Sequence, residues 1–410
     1  VSYKETQVIL DWLDRLYGRY MRVPMWTKQQ AMEALQPDKA CGLPFCDLYG
    51  PTKGDVINAG VTFDELLLHF NTYTEVFSCT LKDEMRLVGK DARLFIPANI
   101  ACVAVGNYLF GAQNDVFIQH HSTRPIKIGL AQPGLDSFML WQSLYLHNGS
   151  KYAFDGAQND AHFSVGIAVI CREFRKRYLD PSFHSLVDRY YDMHYAGHVV
   201  ANGVILYLPG QFSGQTLTSS DNSLLTLCGL ILNAIRDHVS FAKFLYDVFG
   251  IVGDDLIVST STALTPFKLA QTWSSFGMYL ECQQLEPFNF FDLSFCGMFP
   301  KIRDVDGGTL LLYHGRIQRT IESVNYVKRS CSNEQRVAKL VSLAMTVFAC
   351  PELYAEIRSL AFAFAKRFNV DSPELSLLND RTLVKLFTGL ETTGLLFWPG
   401  VVKGRKKQSP

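Results

Sequence analysis

Asp254 and Asp255 stand side by side behind Gly253, in the middle of the apolar, β-branched run Val248 to Thr260. Short apolar runs on either side of a Gly-Asp-Asp break predict two buried strands joined by a tight turn. Buried strands hide their own side chains, so the turn is where chemistry can be done. Carboxylates beside a core are costly unless a cation or a basic partner compensates them. A divalent metal is the leading reading, with an ordinary hairpin turn as the plain alternative.

A second acid cluster lies upstream in Tyr152-Ala-Phe-Asp155-Gly-Ala-Gln-Asn-Asp160. Asp155 is expected at the end of a strand, with Asp160 returning to the same mouth after a turn. Asp155 and Asp254 are 99 residues apart, a separation that only a folded sheet can close. Two carboxylates from different strands meeting at one edge are what two-metal phosphoryl transfer needs. Taken alone, Asp155 reads better as a turn acid or helix cap before Gly156. Between the clusters, Leu208 to Ser223 forms a glycine-bearing loop that opens a helix, followed by the apolar run Leu224 to Ile235. Thr218 and Asn222 are four apart and share a helix face, where small polar side chains let another chain approach. A Ser/Thr-rich capped helix start is the simpler account of that segment.

The order Asp-x4-Asp, Ser213-Gly214-x3-Thr218-x3-Asn222-Ser223, Gly-Asp-Asp resembles motifs A, B and C of the RNA-dependent RNA polymerases of positive-strand RNA viruses, in the picornavirus and calicivirus group. Further elements fall in family order. Cys41-Gly42-Leu-Pro44-Phe45, with Gly50 and Lys53, is similar to motif G, and Lys82, Arg86, Lys90 and Arg93 to motif F. Ser275 to Leu280 is similar to the start of motif D, and Phe295-Cys296-Gly297-Met-Phe299 to motif E. The resemblance implies an α+β right hand with fingers, an antiparallel-sheet palm and a helical thumb. It implies template-directed RNA synthesis from ribonucleoside triphosphates, with Mg²⁺ as cofactor and Mn²⁺ as a substitute. Asp155, Asp254 and Asp255 would be catalytic metal ligands, with Asp255 the weaker or outer one. Asp160 and Asn222 would read the ribose 2′-hydroxyl, supported by Thr218, Ser213 and Gly214. Lys82, Arg86, Lys90 and Arg93 would meet the triphosphate, and Gly42, Pro44, Cys296 and Gly297 the template and primer. Motif D of the family usually ends in a lysine that protonates pyrophosphate. Glu281 to Glu286 offers none, so the general acid is unassigned.

The implied organisation is one catalytic unit over 1–410, with fingers at 1–145 and 172–208, palm at 146–171 and 209–310, and thumb at 311–410. A helical stretch is expected around Glu5 to Tyr20. Apolar positions from Val337 to Phe348, and again from Leu353 to Phe364, recur at helical spacing and predict core-facing thumb helices. At 410 residues with 48% hydrophobic content, the chain can bury a large core. No linker or repeat divides it. Ten cysteines without a Cys-x2-Cys pair argue against a zinc site and for reduced thiols in a cytosolic setting. The run Leu340 to Cys350 is too short for a bilayer. His162, His184 and His194 read as structural or surface residues.

Thirty-nine basic residues balance thirty-nine acidic ones, whereas nucleic-acid binders are often basic overall. RNA binding must then rest on local clusters: Lys82 to Arg93, Arg172 with Arg175 to Arg177, and the tail Lys403 to Lys407. A solvated helix face is the competing account of each. The chain begins at Val1, with little sequence before Cys41, so a piece of a larger viral polyprotein is expected. It would work in host cytoplasm at replication complexes, with other viral replication proteins and a protein primer as partners. Two other function classes fit the motifs less well: a noncatalytic RNA-binding or assembly subunit with this fold, and a DNA-synthesising palm polymerase. Nucleotide preference and metal-dependent incorporation separate the three.

Overall fold

The structure is a computed structural model that describes residues 1–81, 94–157, 165–201, 203–211, 214–262, 264–283, 289–305, 308–326 and 331–389. Lys82, Arg86, Lys90, Arg93, Asp160, Ser213, His162 and the basic tail lie outside those residues. The fold is mixed α+β.

At its centre is a four-stranded antiparallel sheet in the order Val248–Val252, Asp255–Thr260, Ser150–Ala157, Tyr279–Cys282. The first two strands are the expected hairpin, with Gly253-Asp254 as its two-residue turn. Such tight hairpin turns need positive φ, and Gly253 supplies it at 63°. Ile251 is also bridged to Ile126 in parallel, which ties the hairpin to the chain after the helix Ile100–Gln119. One sheet face packs on the helix Thr218–Arg236. Residues Ser220 to Ala234 of that helix are all buried, so it runs through a core, and Ser220 to Ser223, Thr226 and Asn233 are buried polar positions within it.

The amino-terminal helix Tyr3–Leu13 starts with a Ser2/Glu5 capping box and continues through Gly18 to Met21, as the pattern around Glu5 to Tyr20 predicts. Its Leu10, Leu13 and Tyr17 join the larger core, with the helices Ile100–Gln119, Val165–Lys176 and His184–Tyr195. A second core gathers the helix Leu135–Leu146, the hairpin Met298–Val305/Gly308–Gly315 and the helices Asn333–Thr346, Pro351–Phe368 and Asp380–Thr388. The apolar stripes at 337–348 and 353–364 are core packing, as read from their spacing. No described helix is long and apolar enough to cross a membrane. None of the ten cysteines is in a disulfide.

The basic cluster at 172–177 is neither a solvated face nor an open RNA surface. Arg175 is fully buried in an ion pair with Asp221. Arg172 and Lys176 pair with Asp188, and Arg177 with Asp14. Arg172 and Lys176, four apart, share one helix face and meet Asp188 there, whereas Arg175 and Arg177 reach acids of other elements, Asp221 and Asp14. His194 is buried and His184 bonds the Lys176 carbonyl, so both are structural as expected.

Candidate active site

The sheet itself brings the two acid clusters together. Phe154 pairs with Leu256, so continuing that antiparallel register by one residue sets Asp155 opposite Asp255. On its other side Asp155 pairs with Glu281. One row across the sheet therefore carries Asp255, Asp155 and Glu281, with Asp254 in the adjoining turn. Like charges directly opposite one another destabilise a sheet. Burial first, then the Asp155 and Asp254 charges, with Arg316 opposing them, push the Asp255 carboxyl from its ordinary 3.8 up to about 6. The electrostatic link between Asp155 and Asp255, 100 positions apart, is thus direct.

Cys296 and Gly297 lie on the same side. They form the two-residue turn between Phe295 and Met298, both with positive φ, 51° and 72°. Burial pushes the Cys296 thiol up to about 12, and Asp255 and Asp254 contribute to the rise. Phe295 and Met298, which flank the turn, are buried in the second core.

The helix Thr218–Arg236 holds the acid turn by its backbone. Ser223 Oγ accepts from the Gly253 N–H at 2.8 Å, and Thr226 Oγ1 donates to the Gly253 carbonyl at 2.8 Å. Ser223 in turn donates to the Ser219 carbonyl. Sequence reasoning passed over Thr226, and Glu281 as a neighbour of Asp155. The signal for Thr226 was a hydroxyl three residues after Ser223 inside an otherwise apolar run. Asn222, next to Ser223, is buried, and its Oδ1 has no hydrogen-bond partner among the described residues. A buried acceptor in that condition is suited to a ligand hydroxyl. Thr218 is the first residue of the same helix.

The loop before this helix is fastened at its two sides. Burial lowers the His194 pKa to about 4, so the ring is neutral. Its Nδ1 meets Gln215 Oε1 at 2.6 Å, and Gln211 Nε2 meets its Nε2 at 3.3 Å. That pattern assigns the ring proton to Nδ1. Gly214, with φ 79°, lies against Phe95, and a Cβ there would stand 3.2 Å from the Phe95 ring. Gly214 thereby lines a cavity of about 390 Å³ together with Lys39, Lys53, Phe95, Gln215 and Thr216. Lys53 is buried, and burial lowers its pKa.

Gly42 and Pro44 belong to the neighbouring loop. Gly42 has φ 74°, and a Cβ would come within 2.8 Å of the Asn99 backbone. Asn99 caps the helix Ile100–Gln119, donates to the Leu43 carbonyl at 3.2 Å and bonds the buried Glu75. The structure shows no contact of Gly42 or Pro44 with the carboxylates. Neither lines the cavity beside Gly214; Ala40, two residues before Gly42, does.

The donor chemistry suits a hard divalent cation. Among the described residues no three His, Cys, Asp or Glu side chains converge closely enough to hold an ion by themselves. Mg²⁺ is commonly bound by one or two carboxylates, with water and substrate phosphate oxygens completing an octahedron. Crowded oxygen donors without a protein cage match that habit.

A family model for viral RNA-dependent RNA polymerase matches residues 16–363. The chain is also 27% identical over 279 residues to the genome polyprotein of Southampton virus, a match covering 62% of this chain. It spans 15% of the length of that polyprotein.

Proposed function

The chain belongs to the viral RNA-dependent RNA polymerase family, and from that premise we propose that it joins ribonucleoside triphosphates on an RNA template, replicating a viral RNA genome. The observation that carries this reading is the row of Asp155 and Asp255 with Asp254 in the adjoining turn, held by Ser223 and Thr226. In the proposed reaction the primer 3′-hydroxyl forms a bond to the α-phosphate and pyrophosphate leaves. Two Mg²⁺ ions, when bound, would acidify the attacking hydroxyl and neutralise the leaving pyrophosphate. Asp155 and Asp254 would hold them, with Asp255 as a nearby outer ligand. Asn222 Oδ1 would accept from the ribose 2′-hydroxyl, with Asp160 as its partner and Ser213, Gly214 and Thr218 in support. That hydroxyl is the group by which RNA and DNA precursors differ. Lys82, Arg86, Lys90 and Arg93 would meet the triphosphate. Planar guanidinium forks suit phosphate oxygens.

In the same reading, fingers take 1–145 and 172–208, and the palm takes 146–171 and 209 onward. The palm ends at 310 and the thumb takes 311–410. The cavity lined by Lys39, Lys53 and Gln215 would take single-stranded template, with Gly42 and Pro44 shaping its loop. Cys296 and Gly297 would face the primer end. Host cytoplasm is the setting that fits a polyprotein-derived polymerase with free thiols, with viral replication proteins as companions.

The test is nucleotide incorporation on a primed homopolymer, with and without Mg²⁺ or Mn²⁺. Incorporation that needs the ion and is abolished by Asp254→Ala, in a protein that still melts cooperatively, is the expected result. Retained activity in that variant would remove the metal assignment. Asp160→Ala should loosen selection against deoxynucleotides.

A further inference from the structure

The residue before Asn222 is an aspartate with no exposed surface, and it faces an equally buried arginine. Arg175 Nε donates to Asp221 Oδ1 at 2.8 Å, and Arg175 Nη2 lies 2.7 Å from an Asp221 oxygen. Tyr191 and Tyr195 hydroxyls donate to Asp221 Oδ2 at 2.6 and 3.1 Å. The carboxylate thus accepts three side-chain hydrogen bonds, with the guanidinium charge held against Oδ1. The rest of the guanidinium reaches Gln113 Oε1, Asn114 Oδ1 and Ser220 Oγ at 3.3, 3.0 and 2.9 Å. Asn114 also donates to the Thr216 carbonyl, just before the helix that carries Asn222. Four helices meet at this one pair: Ile100–Gln119, Val165–Lys176, His184–Tyr195 and Thr218–Arg236.

Stability alone gives little reason for such a pair, because apolar residues of similar volume often hold a core as well or better. What an apolar contact lacks is direction. A planar guanidinium with several fixed acceptors, and a carboxylate holding three donors from two other helices, admit one arrangement of the helices that bear them. We propose that Arg175 and Asp221 are positioning residues for ribose selection. They lock the first turn of the helix Thr218–Arg236 so that Asn222 keeps one place relative to the strand carrying Asp155. This rests on the reading that Asn222 meets the ribose 2′-hydroxyl.

The experiment compares kcat/KM for a ribonucleotide and its 2′-deoxy analogue on a primed template, alongside thermal melting of each protein. The apolar double variant Arg175→Met/Asp221→Leu should melt within a few degrees of wild type. Its ribose discrimination should fall about tenfold, through a higher KM for the ribonucleotide with kcat little changed. Tyr191→Phe and Tyr195→Phe each remove one donor from Asp221 and keep the pair, so they report even where the double variant does not fold. They should lower discrimination two- to threefold. Asn222→Ala separates the two layers of the inference. Where it loses discrimination but the folded double variant and both tyrosine variants keep the wild-type ratio, the positioning role is overturned. Where Asn222→Ala itself keeps that ratio, the ribose reading falls, and the role of the pair falls with it.

Discussion

Asp255 lies between burial and two other carboxylates, and its chemistry follows from that position. Its pKa in the folded protein, about 6, exceeds its ordinary 3.8. The folded state therefore holds this proton more tightly than the unfolded chain does. The resulting stabilisation is complete below pH 3.8 and is lost as pH rises through about 6. Metal-free wild type should lose melting temperature relative to Asp255→Asn across that window, and added Mg²⁺ should restore it. Parallel melting curves from about pH 4 to about pH 7 would show that the three carboxylates do not interact as described. The same residue bears on the assignment of roles. Asp254→Ala is expected to abolish incorporation and Asp255→Asn only to reduce it, as primer-extension rates will show; equal losses would make Asp255 an inner ligand.

Among the elements, the contact that matters most is between the helix Thr218–Arg236 and the Gly253 turn. Two hydroxyls hold a single residue, Gly253, one at its N–H and one at its carbonyl. Thr226→Val keeps the shape and removes one bond, so it should cost about 1 kcal/mol of stability. Turnover should fall with it, because the peptide it holds belongs to the acid turn. A variant that loses stability and keeps full turnover would reduce Thr226 to a packing residue. The loop at Gly42 makes a steric prediction. Its positive φ and the 2.8 Å approach of a Cβ to the Asn99 backbone leave an alanine nowhere to go. Gly42→Ala should therefore destabilise by about 1–3 kcal/mol, read by chemical denaturation, and an unchanged midpoint would mean the loop is free to shift.

At the scale of the whole molecule, zero net charge is reconciled with an RNA substrate by where the charges go. Arg172, Arg175, Lys176 and Arg177 are all engaged with acids of the same chain. A cation already paired in this way has little left to offer a phosphate. Arg172→Glu should leave the salt dependence of RNA binding unchanged, as measured by fluorescence anisotropy over a range of salt. A slope lowered by about one would mean that Arg172 meets a phosphate after all. The two cores also divide the molecule's mechanics. Asp155 and Asp255 sit on strands whose residues contribute to both, with Phe154 and Leu256 in the first and Ala153 and Ile257 in the second. The acid row therefore lies where the two packed bodies join.

Local pattern alone determined the strand, turn and strand at 248–260, the helix after Thr218, the helical pairs beyond Gly315 and the identity of the acids. These follow from hydrophobic periodicity and glycine placement, which act over a few residues. The tertiary structure decided which distant residues meet. Sheet register put Asp155 between Asp255 and Glu281, and packing gave Gly253 its two hydroxyl partners. It also took Arg175 out of the apparent basic surface and buried it against Asp221. A one-residue change of register or a small rotation of a helix would exchange all of these partners without altering any local pattern. That is why contacts across long separations, and the electrostatics they create, belong to the folded chain.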